Sequence, residues 1–484
     1  MSIVTSFDLL KHRRSKIVAT LGPRTRDGDS IRALVTAGVD VFRLNMSHGT
    51  HAEHAAVIAH IRAHAAALER HTAILADLCG PKIRTGRFAR SPLTLTAGRE
   101  VTVTMREVVG DETLIPSQYA GLAGDVRAGN RVLLNDGAVE LRVLEVDGSE
   151  VRCVVVNGGP VGDHKGINLP GADVSAPSLT DKDIEDAHFA LAQQVDFIAL
   201  SFVRRPEDVA QLRAIVARHP VQPAIIAKIE KPEARENGLE IIDAADAIMV
   251  ARGDLGVELQ PEQVPLAQHQ LIRLARRRDK PVIVATQMLE SMIASARPTR
   301  AEVTDVSNAV ASGADAVMLS GETAVGEFPI ETVAMMSRIA RQTESYQFHM
   351  RPAGGRAHAA GDPGHVSFGD AIANAVAQLV ADTGASAVVV LSMQGVTAAT
   401  ISAARPDAPI VAVSRDAAVC RRMNLLWGTL PVVDPGTGTD NPNRIARRVV
   451  RHLGLAEPGQ YIVLVRGFHA APELNTPTVT LMTV

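Results

Sequence analysis

AIIAKIEKPEARENGLEIIDAADAIMVARGD, residues Ala224–Asp254, holds two short apolar runs, AIIAKIE and AIMVARGD, with a polar stretch between them. Neither run alternates apolar with polar residues, which is the signature of a strand buried on both faces in a parallel sheet. Both end in charge, Lys228 and Glu230 in the first, Arg252 and Asp254 in the second. The same unit recurs outward in both directions: KIVATLG (Lys16–Gly22), VFRLN (Val41–Asn45), AILADL (Ala73–Leu78), FIALS (Phe197–Ser201), VIVATQM (Val282–Met288) and AVMLSGE (Ala316–Glu322). Amphipathic segments such as Arg205–Arg218 and Gln263–Arg277 lie between them, long enough for crossover helices. Eight such units predict an α/β fold, a (β/α)8 TIM barrel over residues 1–85 and 176–350, although a doubly wound sheet uses similar pieces.

The barrel pattern breaks over residues 86–175. LTLTAGREVTVT and RVLLNDGAVELRVLEVDGSEVRCVVV alternate, with Asn-Asp-Gly and Val-Asp-Gly turns, and predict an inserted antiparallel β-barrel. It follows the third barrel strand, at the end where active-site loops emerge, and so reads as a lid. Residues 351–368, rich in Gly, Pro and Ala, read as a linker whose histidines lack ligand spacing. Residues 369–484 predict a C-terminal α/β domain: a helix at Asp370–Asp382, then strands at Ala387–Ser392, Ile410–Ser414, Leu430–Val433, Tyr461–Arg466 and Thr478–Val484.

With 50 Lys and Arg against 53 Asp and Glu, the chain has no basic stripe for nucleic acid or an anionic membrane. The opening MSIVTSFDLLKHRRSK lacks a signal-peptide core, and no apolar run reaches spanning length, so a cytoplasmic protein is expected. Cys79, Cys153 and Cys420 are too far apart for a CxxC site and read as reduced thiols. No lysine follows Lys280, so a lysine inside a motif suggests a compact point charge where a guanidinium fork would not serve.

Active sites of this barrel lie at the C-terminal ends of the strands. There the sequence places Arg43 and Asn45, Asp77, Lys228 and Glu230, Arg252 and Asp254, Thr286, and Ser320 and Glu322. Glu230 and Asp254, on neighbouring strands, suit one hard cation such as Mg²⁺ with open positions for substrate oxygens. Lys228 and Arg43 add fixed positive charge, a combination suited to a small phosphorylated anion. Glycines in Ala251–Gly256 leave backbone N–H groups free to approach a carboxylate or phosphate.

RLNMSHG (Arg43–Gly49), IIAKIE (Ile225–Glu230), IMVARGDLGVE (Ile248–Glu258), ATQMLESMI (Ala285–Ile293), RPTRAEVTDVSNAV (Arg297–Val310) and MLSGETAVGEFP (Met318–Pro329) together closely resemble pyruvate kinase. The resemblance implies phosphoryl transfer from phosphoenolpyruvate to ADP, with Mg²⁺, or Mn²⁺ in its place, on Glu230 and Asp254. It further implies Lys228 on the phosphoryl group in transit and Arg43 on that phosphate. The substrate carboxylate falls to Gly253, Asp254 and Thr286, and a proton relay through water to Thr286, Ser320 and Glu322. ADP or ATP falls to Asn45, His48, Arg84 and the lid's Lys165, and the assembly to a homotetramer.

Two departures from that family matter. DLCGPKIR (Asp77–Arg84) stands where the family usually reads DTKGPEIR. Lys82 therefore replaces a glutamate beside the K⁺ pocket implied for Asn45, Ser47 and Asp77. A like-charge contact at about 4 Å and an effective dielectric of about 20 costs roughly 4 kcal/mol, so Lys82 predicts activity without K⁺. The second departure is Ser392-Met393-Gln394-Gly395-Val396-Thr397, less rich in hydroxyls than the family's effector loop, which leaves a sugar-phosphate or nucleotide effector open. A Mg²⁺-dependent aldolase or lyase would need neither lid nor nucleotide residues. A metabolite sensor on the same fold would not need Arg43, Lys228, Glu230, Asp254 and Thr286 all intact.

Overall fold

The computed structural model describes residues 10–350, 368–469, 471 and 474–484. The eight apolar runs pair in parallel and close on themselves in sequential order, each strand beside its chain neighbours and the eighth beside the first. The strands are Lys16–Thr20, Val41–Asn45, Ala73–Asp77, Phe197–Leu200, Ala224–Ile229, Ala247–Ala251, Val282–Ala285 and Ala316–Leu319. Most stop one to three residues before the sequence runs do, since the backbone turns as it leaves the barrel. Phe202 and Thr286 adopt positive φ, and Arg252–Glu258 is already helical.

Alternation inside the barrel sorts the side chains into two layers. Val18, Val41, Leu75, Phe197, Ile226, Met249, Ile283 and Met318 point inward and form one buried cluster. Ile17, Phe42, Ile74, Ile198, Ile225, Ile248, Val282 and Val317 point outward against the helices. Three of those helices start at capping boxes: Thr50 with Glu53, Thr180 with Asp183, and Thr299 with Glu302. A side-chain cap contributes about 1 kcal/mol and fixes where the loop ends and the helix begins.

The insertion is a six-stranded, mostly antiparallel sheet with a two-stranded companion, Leu93–Leu95 with Gly159–Val161. One of its pairs, Glu100–Thr104 with Leu114–Pro116, is parallel. Asn135 and Asp136, at φ 54 and 55, form the tight turn between Arg131–Leu134 and Val139–Asp147 that Asn-Asp-Gly predicts. The insertion leans on the barrel where Asn168 Nδ2 donates to Glu258 Oε1 at 3.0 Å.

The C-terminal sheet runs in the order Thr429–Val433, Ile410–Ser414, Val388–Leu391, Tyr461–Arg466, Thr478–Thr483, with only the last pair antiparallel. Its first helix begins at Phe368, inside the interval read as linker; the rest of that interval bar none lies within residues 351–367, outside the described residues. This domain seals the N-terminal mouth of the barrel. Leu425, fully buried, belongs to the cluster inside the barrel. Next to it Asn424 Nδ2 donates to the carbonyls of Asp40 and His71, just ahead of the second and third strands. Arg421 pairs with Asp196 at 2.7 Å and Arg405 with Asp315 at 2.8 Å. All three cysteines are free thiols, and burial pushes Cys153 and Cys420 up to about 12.

Candidate active site

At the opposite mouth, the strand register brings charge together. Asn45 and Asp77 are direct neighbours across the second and third strands, and Arg43 sits two residues back on the same face as Asn45. Arg43 Nε donates to Asp77 Oδ2 at 2.6 Å, and Arg43 Nη1 reaches Thr20 Oγ1 at 3.1 Å. Lys228 Nζ lies 3.3 Å from Asp77 Oδ1, 2.8 Å from Glu230 Oε1 and 2.7 Å from Ser201 Oγ. Glu230 Oε2 accepts from the Phe202 N–H at 2.8 Å.

Two fixed cations, Arg43 and Lys228, thus face three carboxylates, Asp77, Glu230 and Asp254. Burial acts to neutralise Asp77, but the charges of Lys228 and Arg43 outweigh it and hold the carboxyl below its usual range. Burial likewise opposes charge on Lys228, yet Asp77 and Glu230 hold its ammonium above the ordinary lysine value. The surplus negative charge falls on Asp254, pushed up to about 6 by burial and then by Glu230. That surplus is what a bound cation would neutralise. Among the described residues no group of three or more His, Cys, Asp or Glu gathers as a metal site, so a cation held by Glu230 and Asp254 would take its other ligands from substrate and water.

Beside Asp254 the turn after the seventh strand is strained. Thr286 has φ 71 and Gln287 φ 52, an arrangement that for a β-branched residue costs on the order of 1–3 kcal/mol. Thr286 Oγ1 donates to the Ala285 carbonyl at 2.6 Å and accepts the Gly253 N–H at 2.6 Å. A Cβ built on Gly253 would meet Thr286 Cβ and Oγ1 at 3.4 Å, ordinary van der Waals contact. Glu322, 2% exposed, accepts from the N–H groups of Leu289 at 3.1 Å and Ser320 at 2.7 Å, and burial raises its pKa. Among the described residues no hydrogen bond joins Thr286 to Ser320 or Glu322.

Between barrel and insertion lies a cleft of about 500 Å³, lined by Lys82, Arg84, Asp136, Lys165, Phe202 and Asp254 among others. Arg84 donates to the His164 carbonyl at 2.9 Å. Lys82 Nζ donates to Ser47 Oγ at 2.9 Å, and Asn45 Oδ1 accepts the Ser47 N–H at 3.2 Å. Burial and then the charges of Lys82 and Arg84 lower the pKa of His48.

The structure therefore brings Arg43, Asp77, Lys228, Glu230 and Asp254 into one cluster, Thr286 against Gly253, and Lys82, Arg84 and Lys165 around one cleft. The sequence reading left out Ser201, whose position at the end of the fourth strand was the available signal. It also left out Asp136, absorbed by its turn motif, and gave no role to Arg252 or Glu258.

Profiles described as pyruvate kinase, barrel domain, and pyruvate kinase, alpha/beta domain, match residues 12–333 and 370–480. A pyruvate kinase of Mycobacterium intracellulare is 45% identical over 458 residues, 94% of this chain and 95% of that protein. Pyruvate kinase 2 of Synechocystis is 45% identical over 460 residues, 94% of this chain and 76% of that protein. The crystal structure of a pyruvate kinase from Cryptosporidium parvum superposes with a TM-score of 0.89 at 35% identity, covering 98% of both chains.

Proposed function

This chain belongs to the pyruvate kinase family and transfers the phosphoryl group of phosphoenolpyruvate to ADP, giving pyruvate and ATP; from that premise we propose how its residues divide the work. Glu230 and Asp254 hold Mg²⁺, for which Mn²⁺ substitutes. When bound, the ion supplies positive charge to the substrate oxygens. The observation that carries this reading is the cluster of Arg43, Asp77, Lys228 and Glu230, two cations and two carboxylates in contact, with the over-charged Asp254 beside them.

Lys228, kept protonated by its two carboxylates, meets the phosphoryl group in transit, where negative charge spreads over the equatorial oxygens. Arg43 holds the same phosphate before transfer. The N–H groups of Gly253 and Asp254 and the hydroxyl of Thr286 receive the substrate carboxylate, for which the Gly253 N–H must turn from Thr286 Oγ1. Protonation of the enolate carbon begins at Thr286, with Ser320 and Glu322 reached through water. Asn45, His48, Arg84 and Lys165 bind the nucleotide, and the insertion closes over it to exclude water. The contact of Asn168 with Glu258 supports such closure.

Lys82 takes the place of K⁺. Its ammonium already hydrogen-bonds Ser47, one of the residues that would otherwise face the ion, and lends a tethered charge to the cleft. A homotetramer in the cytoplasm completes the proposal; among the described residues no helix is long and apolar enough to cross a membrane. The test is pyruvate formation from phosphoenolpyruvate and ADP with Mg²⁺, in K⁺ and in tetramethylammonium at equal ionic strength. Equal rates are expected. Turnover in K⁺ alone would remove Lys82 from this role, and a rate independent of divalent cation would remove Glu230 and Asp254 from theirs.

A further inference from the structure

The left-handed turn at Thr286 and Gln287 must be held by its surroundings, and one side chain does most of the holding. The sixth and seventh strands run in register as far as Ala251 and Ala285, so the residues that follow, Arg252 and Thr286, leave the barrel side by side. Arg252 turns back across the seventh-strand turn. Its Nη2 donates to the Thr286 carbonyl at 2.7 Å and contacts Met288 Sδ at 2.8 Å, and its Nε donates to the Ala285 carbonyl at 3.3 Å. The remaining arm, Nη1, is anchored on Asp305 Oδ1 at 2.6 Å, from the helix Arg300–Ala311.

The guanidinium therefore grips the carbonyls on both sides of the Thr286 α-carbon. One of them, Ala285 O, is also the acceptor of the Thr286 hydroxyl. The orientation of that hydroxyl and the path of the backbone beneath it are fixed from the same point. A planar fork with several donors in fixed directions can do this, whereas a lysine ammonium has neither the reach to both carbonyls nor a spare arm for Asp305.

We propose that Arg252, anchored by Asp305, is a positioning residue: it acts on the reaction through Thr286 by holding the strained turn that aims the Thr286 hydroxyl. This rests on the reading that Thr286 serves the chemistry. Misplacement of a catalytic group by about an ångström costs on the order of 100-fold in rate. Thermodynamic coupling separates action through Thr286 from general support of the fold, because residues acting as one unit give strongly non-additive losses.

The experiment measures kcat and the KM values for phosphoenolpyruvate and ADP at saturating Mg²⁺ for Thr286→Ala, Arg252→Ala, Arg252→Lys, Asp305→Asn and the double variant Arg252→Ala with Thr286→Ala. Arg252→Ala is expected to lower kcat about 100-fold, with the KM for ADP little changed, and Arg252→Lys to recover little of it. Asp305→Asn, which keeps the fork but weakens its anchor, should cost a few-fold. In the Thr286→Ala background the Arg252→Ala loss should nearly vanish. An equal loss in both backgrounds overturns the proposal, as does full recovery in Arg252→Lys. Should Arg252→Ala fail to fold, the same cycle run with Arg252→Lys decides. A wild-type rate in Thr286→Ala alone would remove Thr286 from the chemistry, and a loss confined to Arg252→Ala would then show that the arginine works by another route.

Discussion

The two mouths of the barrel each bury a lysine, and they treat it in opposite ways. At the C-terminal mouth Lys228 has Asp77, Glu230 and the Ser201 hydroxyl all within 3.3 Å, and its pKa is raised. At the N-terminal mouth Lys16 donates to the Thr429 carbonyl at 2.6 Å and has Asp40 only at 3.8 Å, so burial prevails and its pKa falls to about 8. Burial is similar in the two places. What differs is whether carboxylates are near enough to outweigh desolvation. One mouth keeps its charges concentrated and imperfectly balanced, as catalysis requires; the other satisfies its charges across a domain boundary, as docking requires.

The strongest way to break this contrast is at Lys228. Lys228→Ala should lower kcat by about 10³-fold, because the lost ammonium stabilises charge in transit, and should also lower the melting temperature, because Glu230 is left buried without its cation. A rate within tenfold of wild type would mean that the cluster is structural. Leu425→Ala probes the other mouth. Removing a fully buried leucine should destabilise by about 3 kcal/mol in denaturant titration, with kcat nearly unchanged. A large loss of kcat with stability intact would erase the distinction between the mouths.

The smallest effect sharpens it. The pKa of Lys16 is depressed in the fold, so the unfolded chain holds more protons between pH 8 and 10.5 and stability contributed by this residue rises with pH across that window. Below pH 8 the buried charge costs about 3 kcal/mol, by the size of the shift. The difference in unfolding free energy between wild type and Lys16→Met should therefore climb from pH 8 to 10.5. A flat difference would mean that Lys16 titrates in the fold as it does in the unfolded chain.

The same contrast explains what the sequence disclosed. The upper mouth is legible because its residues lie at the ends of apolar runs, and barrel geometry alone directs attention there: Arg43, Asp77, Lys228, Glu230 and Asp254 all follow that rule. Strands end before their apolar runs do because Arg252 already opens a helix and Thr286 turns the chain with a β-branched residue, a type that ordinarily continues a strand. Lys82 stands out only against a family pattern, and its bond to Ser47 joins residues that no local motif connects. The lower mouth was invisible. Arg421 finds Asp196 across 225 residues, and Leu425, one of two adjacent leucines, carries no local sign that it enters another domain's interior.

That leucine also sets an order of events. On the ribosome the eighth barrel strand emerges long before residue 425, and domains tend to fold as they appear. Until the stopper arrives, a nascent barrel presents an open apolar mouth, the kind of surface that invites aggregation and chaperones. Synthesis and completion are thus out of step: a barrel whose last strand ends at Leu319 is not finished until Leu425 arrives.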